Sequence, residues 1–156
     1  MIRTALWPQA LELYGRPGAE ALLLTLQDAH GQCVPFLLWA VWLAGSGRRV
    51  DAATLARGAD LARAWQATAI GPLRDLRRDL KGPGGTGPAA ARERLRQGVK
   101  ALELEAERML LQMLDELSPA PGDAEISARD MLERAVAAWG VAAPLDLLDL
   151  LADLAV

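Results

Sequence analysis

Three observations predict an all-α fold, a helical bundle around a central buried hydrophobic helix. No stretch of the chain alternates apolar and polar side chains as a half-buried strand would, and Ala and Leu outnumber the β-branched and aromatic residues. Apolar positions recur instead three and four residues apart, between breaks rich in Gly and Pro. The third observation is the run Val34 to Ala44, whose only polar side-chain groups are the two indole N–H groups. A bilayer-crossing helix needs about 20 apolar residues. A run of 11 closed by Gly45, Gly47, Arg48 and Arg49 therefore reads as a helix over about 35–45, covered on every face by the rest of a globular domain.

Each element has its own signal. Trp7, Leu11 and Tyr14 share one side of a short helix around Pro8 to Tyr14, stopped by Gly15. Pro17 suits a first helical turn, and the helix it opens runs through Leu22, Leu23 and Leu26 to Gly31. Pro35 repeats the device for the central helix. Asp51 is placed to cap a helix that reaches Trp65, and Gly71-Pro72 marks a break or kink. Pro72 to Lys81 separates an apolar stripe (Leu73, Leu76, Leu80) from a basic one (Arg74, Arg77, Arg78, Lys81). The glycine- and proline-rich stretch 82–88 reads as a flexible exposed loop. The longest helix follows, from Ala89 to Leu117, with an expected seam of Leu95, Val99, Leu102, Ala106, Met109 and Met113. After the breaker at 118–123, Ser127 with Asp130 resembles a capping pair for a helix ending at Trp139-Gly140. Pro144 opens a last helix of leucines and aspartates. The chain thus divides into a helical domain over 1–117, a linker over 118–125, and a helical pair over 126–156 expected to pack on the same domain.

Composition narrows the function classes. With 52% hydrophobic and 24% charged residues the chain is too polar to be embedded in a membrane. One cysteine, Cys33, cannot close an intramolecular disulfide, and no apolar stretch of signal-peptide form follows Arg3 before Glu12, so a cytoplasmic location is expected. The net charge of −3 hides an asymmetry: residues 48–81 carry a net +4 and residues 101–156 a net −9. Opposite signs within a small fold usually face each other; the sharper alternative is two surfaces for differently charged partners.

Leu6-Trp7, Tyr14, Arg16-Pro17-Gly18, Leu26-Gln27-Asp28, Gly31, the apolar run ending Trp42-Leu43-Ala44, and Pro72-Leu73-Arg74 with Arg77-Arg78 are ordered landmarks. Together they resemble a domain-of-unknown-function family of small proteobacterial all-α proteins, over about residues 5–117. The resemblance implies the helical fold and brings no activity with it. The segment after Pro121 has no counterpart in it.

Candidate sites follow from charge and shape. Arg74, Arg77, Arg78 and Lys81 are the candidate partner- or anion-binding stripe, since like charges four apart on a helix repel unless something acidic offsets them. The structural alternative is that the helix bearing Glu103 and Glu107 lies alongside. The tryptophans are expected in the core; under the rival reading Trp39, Trp42 and Trp65 line an apolar ligand pocket. Asp75 with Asp79, and Asp149 with Asp153, are spaced as an isoprenoid synthase holds Mg²⁺ against a diphosphate, a minor reading in so short a chain. No Glu and His stand three apart, as a di-iron bundle requires, so no metal and no cofactor are expected. His30 and Cys33 lack an orienting partner for nucleophilic chemistry. Leu147, Leu148, Leu151 and Leu154 form a candidate docking helix, for a partner or a homodimer.

These features favour a non-enzymatic cytoplasmic interaction or adaptor module with a protein partner. The alternatives are a binding protein or enzyme for an apolar or isoprenoid-diphosphate ligand, and a nucleic-acid- or ribosome-associated protein acting through the basic stripe. Nucleic acid is the less expected partner, and no membrane insertion is expected.

Overall fold

The computed structural model describes residues 6–156; Arg3 and the rest of 1–5 lie outside the described residues. Within them the chain forms eight α-helices and no strand. These are α1 (Leu6–Tyr14), α2 (Ala19–His30), α3 (Val34–Gly45), α4 (Ala52–Trp65), α5 (Gly71–Asp79), α6 (Ala89–Leu117), α7 (Ala128–Trp139) and α8 (Leu145–Leu154). Pro17 falls in the turn before α2 rather than in its first turn: Gly18 takes the left-handed conformation there (φ +83°) and Ala19 N–H donates to Arg16 O.

α3 is the centre, and α1, α2, α4, α6 and α7 all pack on it. Phe36, Leu37, Trp39, Ala40 and Leu43 have almost no exposed surface. Phe36 stands between two indoles, with centroids 5.6 Å from Trp39 and 5.8 Å from Trp139. Three of the indole N–H groups find acceptors within the packed chain. Trp39 Nε1 donates to Ser118 Oγ (2.8 Å), which donates on to Leu114 O (2.7 Å). Trp139 Nε1 donates to Gly31 O (2.9 Å) and Trp65 Nε1 to Ala106 O (2.8 Å). Gly58 of α4 makes room for Trp39, since a Cβ there would lie 2.4 Å from indole Cζ3.

The Asp51 cap forms, its carboxylate accepting from Thr54 N–H at 2.7 Å, and Ser127 Oγ accepts from Asp130 N–H at 3.0 Å. Between α4 and α5 the chain does not break. Gln66–Ile70 widens into a π-helical turn in which Gly71 N–H donates to Gln66 O, five residues back. Pro72, which has no N–H and would crowd the preceding turn of a regular helix, is accommodated this way. A Cβ on Gly71 would come within 2.8 Å of Gln66 O, so glycine is what lets the turn close.

The linker is pinned to the α3–α4 turn. Ala124 N–H donates to Gly47 O (3.0 Å), and the backbones come so close that a Cβ on Gly47 would sit 2.2 Å from Gly122 O. Arg48 is buried between them. Its guanidinium lies 4.1 Å from the centre of the Trp42 ring and donates to Ser46 Oγ and to Pro119 O. α7 packs on α3 and α4, and α8 on α2 and α7. Gln32 Nε2 donates to Val141 O (2.8 Å), and Arg16 donates to Leu154 O and Val156 O.

The expected seam of α6 holds at Val99 and Ala106 and fails at Leu95, Leu102 and Met109. α6 buries Val99, Glu103, Ala106, Leu110, Leu111 and Leu114, while Leu95, Leu102 and Met109 keep 57%, 59% and 44% of their surface exposed. The arginines of α5 draw Glu103 into the packed face, and the seam turns with it.

Gly58→Ala should destabilise the protein by about 1–3 kcal/mol, because its methyl group meets a ring that the core holds on all sides. Denaturant melts of the variant and of Gly98→Ala, where an added Cβ meets nothing within 4 Å, provide the comparison.

Candidate ligand-binding cleft

α1, α2, the start of α3 and the middle of α6 enclose a cleft of about 550 Å³. Its floor is apolar: Leu23 from α2, Val34, Pro35 and Leu38 from α3, and Leu111 from α6. Trp7 and Tyr14, about two turns apart on α1, form a wall. Leu11, Leu24 and Leu104 stand at the cleft with 50%, 40% and 52% of their surface exposed. Three large apolar side chains half in water beside a concave apolar surface are the usual mark of a binding groove rather than of a plain surface.

Polar groups gather in the same cleft. Glu103, 7% exposed, is held by two arginines of α5. Arg74 Nε donates to its Oε1 at 3.1 Å, Arg77 Nε donates to Oε2, and Arg77 Nη2 reaches Oε1 at 3.3 Å. Hydrogen bonding to Glu103 raises the Arg77 pKa further, so its charge is fixed. Glu107, one turn on, keeps a weaker contact, 3.5 Å from Arg74 Nη2. Burial, reinforced by the neighbouring Glu103 charge and only partly opposed by Arg74 and Arg77, pushes its carboxyl from 4.5 up to about 7. Tyr14 is also raised, by burial first and then by Glu20, Glu107 and Glu103. The cleft therefore offers, beside apolar walls, a carboxyl group that exchanges its proton near neutrality, a phenol that stays protonated, and a fixed guanidinium. Lys100, Gln97, Glu20 and Gln27 also line it.

The basic stripe is dispersed by these contacts. Arg74 and Arg77 hold Glu103, Arg78 holds Asp28 at 2.9 Å, and Lys81 is exposed. Trp7 is the tryptophan of this cleft. Trp39 is wholly buried, Trp65 packs against α6, and Trp42 lies under Arg48 at the edge of a separate hollow of about 100 Å³. On α8, Leu148 and Leu151 are buried and Leu147 and Leu154 partly so, in the same core as α3, and Arg129 of α7 pairs with Asp149. Asp75 and Asp79 are exposed and outside the cleft, and among the described residues no three His, Cys, Asp or Glu side chains are grouped to hold a metal ion. Burial pushes the Cys33 thiol up to about 12, so it stays protonated at neutral pH. Glu103 and Glu107 do lie alongside the arginines of α5, the structural alternative drawn from the sequence; what the sequence signals only faintly is that Glu107 and Tyr14 meet in one cleft. An acid on the apolar side of α6, four residues from another, faces arginines three apart on α5.

Fold and cleft together define a helical domain with a preformed apolar groove and a charged, hydrogen-bonding lining. The chain belongs to the family DUF2390, a protein of unknown function, whose family model matches residues 5–114. No curated protein and no solved structure matches it. The matched span contains every residue of the cleft and ends before α7 and α8. Among the described residues, no helix is long and apolar enough to cross a membrane.

Glu107 carries a pH dependence of stability. Because its folded pKa lies above the ordinary value, folding favours the protonated form. The contribution is therefore full below about 4.5 and is lost as the pH rises toward and through about 7. Glu107→Gln should flatten that loss, leaving the variant about 1–2 kcal/mol better placed relative to wild type at pH 8 than at pH 4. Melts at both pH values measure the difference; equal offsets would show that Glu107 titrates normally.

Proposed function

We propose that this protein binds an amphipathic small molecule in the α1–α2–α3–α6 cleft, with the apolar body on Leu23, Val34, Leu38 and Leu111 and the polar end among Tyr14, Lys100 and Glu107. The observation that carries this reading is the union of shape and chemistry at one place. A volume of about 550 Å³ lies within the roughly 300–1,000 Å³ typical of small-molecule sites, and its apolar surface leads to a small set of convergent polar groups. The exposed leucines at the cleft support it, because a ligand seated there would cover surface that otherwise faces water unfavourably.

The adaptor and nucleic-acid readings draw less support. Arg74, Arg77 and Arg78 each hold an internal carboxylate, so an external phosphate or acidic peptide would have to compete with Glu103 or Asp28. Isoprenoid-diphosphate chemistry draws little as well, since the aspartate pair of α5 stands away from the cleft.

Titrating the protein with decanol, decanoate and decylamine, read by tryptophan fluorescence and by heat, tests the reading directly. At least one should bind saturably at one site. Ala101→Trp, which places a large ring in the cleft from an exposed helix position, should weaken that binding at least about tenfold while leaving the melting temperature nearly unchanged. Absence of saturable binding by all three, or affinity indifferent to the added ring, would overturn the assignment.

A further inference from the structure

We propose that the ligand of the cleft carries a cationic head, an alkylammonium group seated between Glu20 and Glu107 against the ring of Tyr14. The inference rests on the cleft being a binding site. The three side chains come from α2, α6 and α1, and all line that cleft. The two acids differ from Glu103 in how far their own chain satisfies them. Glu103 accepts three hydrogen bonds from Arg74 and Arg77, which occupy both of its oxygens. Glu107 has a single contact, to Arg74 Nη2 at 3.5 Å, and 28% of its side chain is exposed. Glu20 is exposed and makes no ion pair among the described residues. A carboxylate has about four acceptor sites, so both keep capacity for a donor that arrives in the cleft.

Charge and aromatic surface select the head group together. Beyond burial, the groups that raise the Tyr14 pKa are Glu20, Glu107 and Glu103, so the phenol stands in a negative potential. A cation there is attracted by the carboxylates and by the ring itself. Trp7, on the same wall, already takes a cation of this chain, the Arg108 guanidinium 5.3 Å from its ring centre. No such cation stands over Tyr14 among the described residues. An anionic head finds less. Arg77 is engaged by Glu103, and Lys100 precedes Glu107 by seven residues, about 10 Å along α6. That is about one Debye length at 0.1 M salt, so Lys100 opposes an ammonium at Tyr14 only weakly.

The same arrangement makes binding depend on pH. The charged and titratable groups around Glu107 are Arg74 and Arg77 of α5, Glu103 of α6, Tyr14 of α1 and Glu20 of α2, with the protonated Cys33 thiol just before α3. An ammonium head favours the ionised form of Glu107, which prevails only above about pH 7. Binding therefore strengthens as that proton leaves, while an alkylammonium, with a pKa near the roughly 10.4 of lysine, keeps its own charge.

Calorimetric titration of the intact protein with decylammonium, decanol and decanoate at about pH 8 reads the preference. Decylammonium should bind at least about tenfold tighter than either of the others. Glu107→Gln should cut the ratio of decylammonium to decanol affinity at least about fivefold, and Glu20→Gln, at an exposed position, at least about threefold. Lowering the pH to about 5.5 should weaken decylammonium binding at least about fivefold in wild type and less than about twofold in Glu107→Gln. Equal affinity for decanol and decylammonium, a preference for decanoate, or an undiminished ratio in either variant would overturn the head-group assignment and leave the cleft standing as a binding site. Absence of saturable binding by all three ligands would overturn both.

Discussion

The structure depends on one constraint, that a twelve-residue helix with apolar side chains on almost every face must be kept from water on all sides. A single neighbour cannot do this, because a helix covers only a stripe of another. α3 is therefore enclosed by five helices drawn from both ends of the sequence, and its longest side chains set how closely they approach. Gly58 yields its side chain to Trp39, and Ser118 sits where the indole N–H needs an acceptor. Arg48, buried at the end of the same helix, keeps its charge because Trp42 lies beneath it and oxygen atoms surround it.

The same enclosure leaves the cleft. α1, α2 and α6 all pack on α3, and they leave a gap beside Val34, Pro35 and Leu38. The ion pairs of α5 with Glu103 hold α6 in a rotation that sends Glu107 and Lys100 toward that gap and Leu95, Leu102 and Met109 away from it. A buried ion pair is weak as a source of stability and strong as a constraint on register, and register is its visible effect here.

Much of the fold was legible in the chain because its boundaries are local chemistry. Asp51 and Ser127 cap, Gly31 and Gly140 stop helices in left-handed turns, and the run at 34–44 names the core without help from any partner. The rotation of α6 was not legible. Two stripes on that helix carry apolar residues at bundle spacing, and the buried one includes a glutamate that hydropathy assigns to water. Only the arginines of α5 decide between them, and their reach across to α6 is a tertiary fact. The cleft is harder still, since its lining is gathered from positions 7 to 111 and no segment of it has a signature of its own. The basic stripe failed to stay a stripe for the same reason: Asp28, fifty residues away, claims Arg78.

The packing of α7 on α3 has a further consequence at the ribosome. The most apolar segment of the chain is complete at residue 45, but the helix that contributes Trp139 beside Phe36 is complete only some ninety residues later. At ordinary elongation rates that gap lasts about 5–20 s. Throughout it the nascent chain carries an aromatic face whose cover has not yet been made, held in part by α1, α2 and α4. A growing polypeptide in that state is a natural client for holding chaperones, and codon usage between α4 and α7 sets how long the exposure lasts.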